Sequence, residues 1–153
     1  MAQKIIIGSA VFLAIAIVAG VYITQIKQPD TGYKFSEPEQ TVRQYFESWN
    51  KKDWPNMYSV ISDGFKKIDP DAKTLGDFKK YAESQGISSI IILSINGESN
   101  DGKTAVVDYS VEFVLSDGAK RPFTDTFTLK YRESDIIRGW KLVHPYGTNI
   151  DIS

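Results

Sequence analysis

Asp125 is the side chain best placed by type and setting to do chemistry. In an alternating stretch it shares a face with Phe123, Phe127, Leu129 and Tyr131. An apolar setting raises a carboxyl pKa toward values useful to a general base. The plainer reading puts Asp125, two residues into its strand, at the rim of a sheet, solvated or paired with Arg121. His144 is the single histidine and the natural proton carrier near neutral pH. It stands at a strand end before Pro145, with no Ser or Asp neighbour in sequence forming a triad, and the plainer reading is a structural or merely exposed histidine.

No metal or cofactor is expected. One His and no Cys leave only scattered carboxylates, and Asp69-Pro70-Asp71 lacks the Gly and the terminal Glu of an EF-hand loop. The glycines stand singly in turns, so no phosphate-cradling loop is present. The absence of Cys also removes disulfides, a thiolate nucleophile and a lipidated N-terminal Cys. Lys and Arg number 18 against 19 Asp and Glu, so the electrostatic footprint of a nucleic-acid binder is missing. What remains is aromatic. Tyr45, Trp49, Tyr58, Tyr109, Phe127, Tyr131 and Trp140 could line a ligand pocket, which is mostly apolar with a few polar handles, or could simply be core.

These residues sit on legible elements. Ser36 can cap a helix, with Glu39 three residues on and Pro38 in the first turn; Val42, Tyr45, Phe46 and Trp49 then fall on one face. Asp53 offers a second cap, and Trp54, Met57, Tyr58 and Ile61 repeat the spacing until Gly64. A third helix is expected over 74–85, closed by Gly86. Beyond it the period changes from 3.6 to 2. Strands are predicted over 88–95, 104–115, 123–132 and 140–144, with turns at Asn96-Gly97, Asn100-Asp101-Gly102 and Ser116-Asp117-Gly118. Three helices followed by four hairpin-linked strands predict an α+β fold, helices on one face of an antiparallel meander. Alternation places Val107, Tyr109, Val111, Phe113 and Leu115 on one face, and Asp108 and Glu112 on the other.

Before this domain, Ile5 to Ile26 holds no charged residue and as a helix covers the roughly 30 Å hydrocarbon core. An N-in, single-pass anchor with the domain exported is the expectation. The alternative is a signal peptide cut near Ala19-Gly20, although the apolar run exceeds the usual signal core. Residues 1–27 are thus anchor or signal, 28–35 linker, and 36–153 the soluble domain.

The helix Pro38-Glu39-Gln40-Thr41-Val42-Arg43-Gln44-Tyr45-Phe46-Glu47-Ser48-Trp49-Asn50, the segments Lys52-Asp53-Trp54 and Met57-Tyr58-x-x-Ile61-Ser62, and the closing Gly139-Trp140-Lys141-Leu142 together resemble the NTF2-like superfamily. That superfamily includes nuclear transport factor 2, ketosteroid isomerase and polyketide cyclases of the SnoaL type. Within it the chain looks most like small exported domains behind a membrane anchor or in front of penicillin-binding transpeptidase domains. The resemblance covers roughly Glu37 to Ile150 and implies a curved sheet wrapping the first helix into a cone with an aromatic mouth. The superfamily's catalytic motifs do not match residue by residue, so no catalytic role follows, and the fold hosts many functions.

The leading expectation is an anchored, non-enzymatic extracytoplasmic module binding a protein partner or a small apolar ligand. One rival is an isomerase or cyclase in which Asp125 abstracts a proton while Tyr45 or Tyr58 polarises a carbonyl. Another is a structural homodimer paired through the face of Asp108, Glu112, Thr126 and Thr128.

Overall fold

Ser36 opens the domain by capping its first helix. The Ser36 Oγ accepts from the Glu39 N–H, and the Glu39 Oε2 accepts from the Ser36 N–H at 2.7 Å, which satisfies two of the donors that a helix start leaves without partners. The computed structural model describes residues 36–144. The predicted anchor Ile5–Ile26, the linker and the last residues of the chain lie outside that range. Among the described residues no helix is long and apolar enough to cross a membrane.

Four α-helices are followed by four strands: α1 (Glu37–Asn50), α2 (Trp54–Ser59), α3 (Asp63–Ile68), α4 (Leu75–Ser84), β1 (Ile87–Asn100), β2 (Thr104–Leu115), β3 (Lys120–Arg132) and β4 (Gly139–Leu142). A 3-10 turn, Pro70–Ala72, sits between α3 and α4. The expected three helices become four because the chain pauses at Ile61, which makes an isolated bridge to Leu142. Ser62 then caps a new helix through the Phe65 N–H, and that helix runs through Gly64, where the periodicity alone predicts a stop. Asn96-Gly97 likewise does not turn. β1 carries on through it, with a register shift between Gly97 and Ser99.

The sheet is an antiparallel meander in the order β1-β2-β3-β4. Three register irregularities in β1, at Ile87/Ser89, Ile92/Ser94 and Gly97/Ser99, bend and twist that strand, so that it follows α1, which lies across β1, β2 and β4. Two polar clasps fix α1 at its ends. Glu39 is buried and its Oε1 accepts from the Gly97 N–H at 2.7 Å. A Cβ on Gly97 would stand 3.2 Å from that oxygen, so any larger residue there requires the Glu39 carboxylate to give by a few tenths of an ångström. At the other end Asn50 donates to the Ile90 carbonyl and accepts from the Ile90 N–H, both at 2.6 Å. The core lies between the helices and the concave sheet face, around Val42, Phe46, Trp49, Phe65, Phe78 and Leu129.

Candidate functional site

The interior of the concave face is occupied by side chains. Tyr45 stands edge-on to Phe127 with ring centroids 5.6 Å apart and to Trp49 at 6.0 Å. Tyr109 stacks on Phe127 at 4.6 Å, and Trp49 lies 6.2 Å from Phe113. All of these rings are buried. Burial pushes the Tyr45 and Tyr109 phenols well above their ordinary range, because desolvation disfavours the phenolate. Four of the predicted pocket residues, Tyr45, Trp49, Tyr109 and Phe127, are therefore mutual packing partners. Tyr58 serves the helical layer instead: its hydroxyl donates to the Ala72 carbonyl at 2.8 Å, its ring lies 5.3 Å from Phe78, and the Lys66 ammonium sits 4.3 Å above it.

Asp125 keeps the strand parity expected of it but not the apolar setting. It pairs across the sheet with the buried Tyr109, yet is itself exposed. It lies in the half of β3 before Phe127, where only Phe123 is partly buried. The general-base reading thus lacks the desolvation that would make Asp125 a base. Its carboxylate has a different task. Tyr131 N–H faces the β2 side through the Lys103 carbonyl, whereas the Thr128 carbonyl accepts from Val143 on the other side. Even-numbered residues of β3 therefore face away from β2. Thr126 is one of them, and the Asp125 Oδ1 accepts its N–H at 2.8 Å. Pro122, of the same parity, has no N–H to offer. A charge on one edge donor and proline at another blunt the stretch of β3 that β4 leaves uncovered.

His144 is buried, its Nε2 3.4 Å from Asp69 Oδ2 and its ring 4.9 Å from Phe65. Asp69 also accepts from the Asp71 N–H at 2.9 Å. The pair thus closes the chain after β4 onto the 3-10 turn. Sequence reading reached His144 but not Asp69, because the two lie far apart in the chain and Asp69-Pro70-Asp71 was legible only as an incomplete calcium loop. Among the described residues no three His, Asp or Glu side chains converge to hold a metal ion.

Next to this pair Asp71 is half-buried, and its Oδ2 has no hydrogen-bond partner. Burial first, then the charges of Asp69 and Asp77, raise its pKa above the ordinary 3.8. A carboxyl whose pKa is raised by folding favours the protonated native state, so its contribution is full below the unfolded pKa and is lost as pH rises through the folded one. Asp71→Asn is accordingly expected to raise the melting temperature at pH 7, with the gain shrinking as the pH falls through the raised folded pKa and gone below the ordinary 3.8. Thermal melts of the two proteins across that range test it, and equal melting temperatures at pH 7 would refute it.

The described surface opens elsewhere. An open cleft of about 1090 Å³ lies where the first turn of α1, the β1–β2 turn, the end of β3 and the β3–β4 loop meet. Its lining includes Glu37 and Pro38 from α1, Glu133 and Ser134 from the β3–β4 loop, and Lys103, Lys130, Tyr131 and Trp140. Tyr131 and Trp140, the remaining two predicted pocket aromatics, meet edge to face at 5.6 Å. Arg138 donates to the Tyr131 hydroxyl at 3.3 Å and lies 5.8 Å from its ring. The β3–β4 loop is held by a buried pair, Arg132 Nε to Asp135 Oδ1 at 3.2 Å. Asp135 in turn accepts the Asp63 N–H at 3.0 Å, while Asp63 Oδ2 accepts the Ile136 N–H at 3.0 Å. Lys103, Lys130 and this clasp escaped sequence reading, which weighed aromatic residues and strand faces but not the loops that gather at one end of a sheet. The arrangement offers aromatic faces between separated cations and carboxylates, which suits binding.

A helix-first chain whose four-strand meander wraps the opening helix is what the superfamily resemblance implied, and solved structures share it. A SEC-C motif containing protein from Psychrobacter arcticus superposes with a TM-score of 0.51 and 10% identity over 74% of this chain. The chain spans 62% of that protein's length. RPA3114, a SEC-C motif containing protein from Rhodopseudomonas palustris, gives 0.50 with 12% identity over 70% of this chain and 75% of its own. What these structures share with the chain is the α+β fold. An NTF2-like protein of unknown function from Burkholderia pseudomallei superposes at 0.46, with 14% identity over 71% of this chain and 89% of that one. At such identities the likeness extends to the fold alone. No family model and no curated protein matches the sequence.

Proposed function

We propose that this chain is a membrane-anchored, extracytoplasmic binding module, and that the cleft of Tyr131 and Trp140 receives a protein partner. The observation that carries the reading is the division of the aromatic residues. Those on the concave face fill it, while Tyr131 and Trp140 are left at an open cleft with Lys103, Lys130 and Glu133 around them. Such a surface can hold an extended segment by stacking and by hydrogen bonds from its charged rim. The apolar segment Ile5–Ile26 supports the anchor, and the α+β fold is compatible with binding as with catalysis.

The chain has no native cysteine, which makes the topology directly testable. Ser134→Cys in whole cells is expected to react with a membrane-impermeant maleimide, and Gln3→Cys is not; the reverse pattern would overturn the exported placement. For the cleft, a photo-crosslinking residue at position 140 is expected to give a discrete protein adduct in cells, lost with Lys130→Glu, whereas one at position 117 gives none. Adducts of equal yield at both positions, or none at position 140, would defeat the cleft as the binding site.

A further inference from the structure

Ile136 and Ile137 are 93% and 52% exposed, and they are the two most exposed large apolar side chains among the described residues. Their position is fixed. The Ile136 N–H is taken by Asp63, and the preceding Asp135 is buried between Arg132 and the Asp63 N–H. Two carboxylates exchanged between α3 and the loop thus hold an apolar pair out in water, where an unrestrained loop could have turned Ile136 inward. An apolar projection held in place this way is available for contact with an apolar surface.

The place of the projection says what it meets. The same loop supplies Glu133 and Ser134 to the cleft whose lining includes Glu37 and Pro38, in the first turn of α1. The projection is therefore at the end of the domain where the chain arrives from Ile5–Ile26. Residues 27–35 number nine and reach at most about 30 Å when fully extended. The charges around it balance. Arg138 lies 3.5 Å from Glu133 and Lys66 lies 3.6 Å from Asp63, while Lys103, Lys130 and Glu37 line the adjoining cleft.

We infer that Ile136 and Ile137 seat in the interfacial layer of the bilayer that the chain's own N-terminal segment enters, and so orient the domain against that membrane. This rests on the anchored reading above. Two isoleucines alone hold a protein to lipid only weakly, but a short tether raises their effective concentration to the order of millimolar, which makes a weak contact count. With no excess positive charge on the projection, the contact is apolar and does not select anionic lipid.

The test uses the full chain reconstituted in phosphatidylcholine vesicles, with an environment-sensitive fluorophore on Ile136→Cys, on Ile137→Cys, or on Asp117→Cys at the opposite end of the sheet. Flotation with the vesicles reports the anchor. A blue shift and quenching by nitroxide-bearing lipid at positions 136 and 137, absent at 117 and unchanged when anionic lipid is added, is the expected result. Flotation with water-like emission at both loop positions would overturn the seating while leaving the anchor intact. A blue shift without quenching by the lipid nitroxide would mean that protein, a partner or a second copy, covers the loop, and would overturn it too. A shift that appears only with anionic lipid would refute the apolar contact. Failure to float would remove the anchored reading itself.

Discussion

Asp135→Ala is expected to destabilise the domain by about 3–5 kcal/mol, the range for removing one member of a buried ion pair. Both side chains of the Arg132–Asp135 pair are nearly solvent-free, at 6% and 2% exposed. The variant takes the Asp135 carboxylate away from the buried Arg132 and strips the Asp63 N–H of its acceptor. The cost is that of breaking a buried pair from one side rather than the net worth of the pair, which predicts a second result: Arg132→Met combined with Asp135→Leu should lose less than the single change. Urea denaturation of the three proteins, followed by tryptophan fluorescence, separates the cases. A single variant within about 1 kcal/mol of the parent, the range of a solvated surface pair, would mean that the pair is open to water. Because the same clasp holds one wall of the cleft and the two exposed isoleucines, the single variant should also lose crosslinking at position 140.

How far the sequence led can be judged from particular residues. The Ser36–Glu39 box, the apolar stripe of α1 and the Thr74 cap were legible because each is a local signal, complete within one or two turns. The β2 and β3 alternation was legible for the same reason. The α2–α3 boundary was not. Ile61 continues the helical spacing, yet it leaves the helix to bridge Leu142, which lies far along the chain. Tertiary pairing there overrides periodicity. Asn96-Gly97 reads as a turn because Gly follows Asn, but within the strand the Gly97 N–H is taken by Glu39 of α1, which lies close against it, a contact set by another element. Asp125 shows the limit of parity: alternation gives the face of a sheet, whereas burial depends on how far the helices reach along it. The cleft was half legible. Its aromatics stood among the candidates, but the lysines and the Arg132–Asp135–Asp63 clasp come from loops that only the fold gathers.

Whether the concave face is packed or hollow separates a binding scaffold from a fold built around a preformed pocket, and Trp49 is the residue that distinguishes them. Trp49 is 1% exposed, set between Tyr45 and Phe113. In a close-packed interior its truncation loses both transfer energy and the contacts around the vacated space, so Trp49→Ala is expected to cost about 3–5 kcal/mol. The space left, on the order of 100–150 Å³ and walled by rings, is of the kind that stays dry and admits small aromatic molecules. Indole should therefore raise the melting temperature of the Trp49→Ala variant and leave that of the parent unchanged. If indole stabilised the parent as well, the concave face would already hold a usable cavity, and the division between a filled interior and a working surface cleft would fall. If truncation cost no more than about 1 kcal/mol, the surroundings would be loose enough to collapse, contrary to the ring contacts seen around Tyr45, Phe113 and Phe127. The expected pair of results, a large loss and a rescue confined to the variant, follows from rings that hold one another in place and leave recognition to Tyr131 and Trp140 at the open end of the sheet.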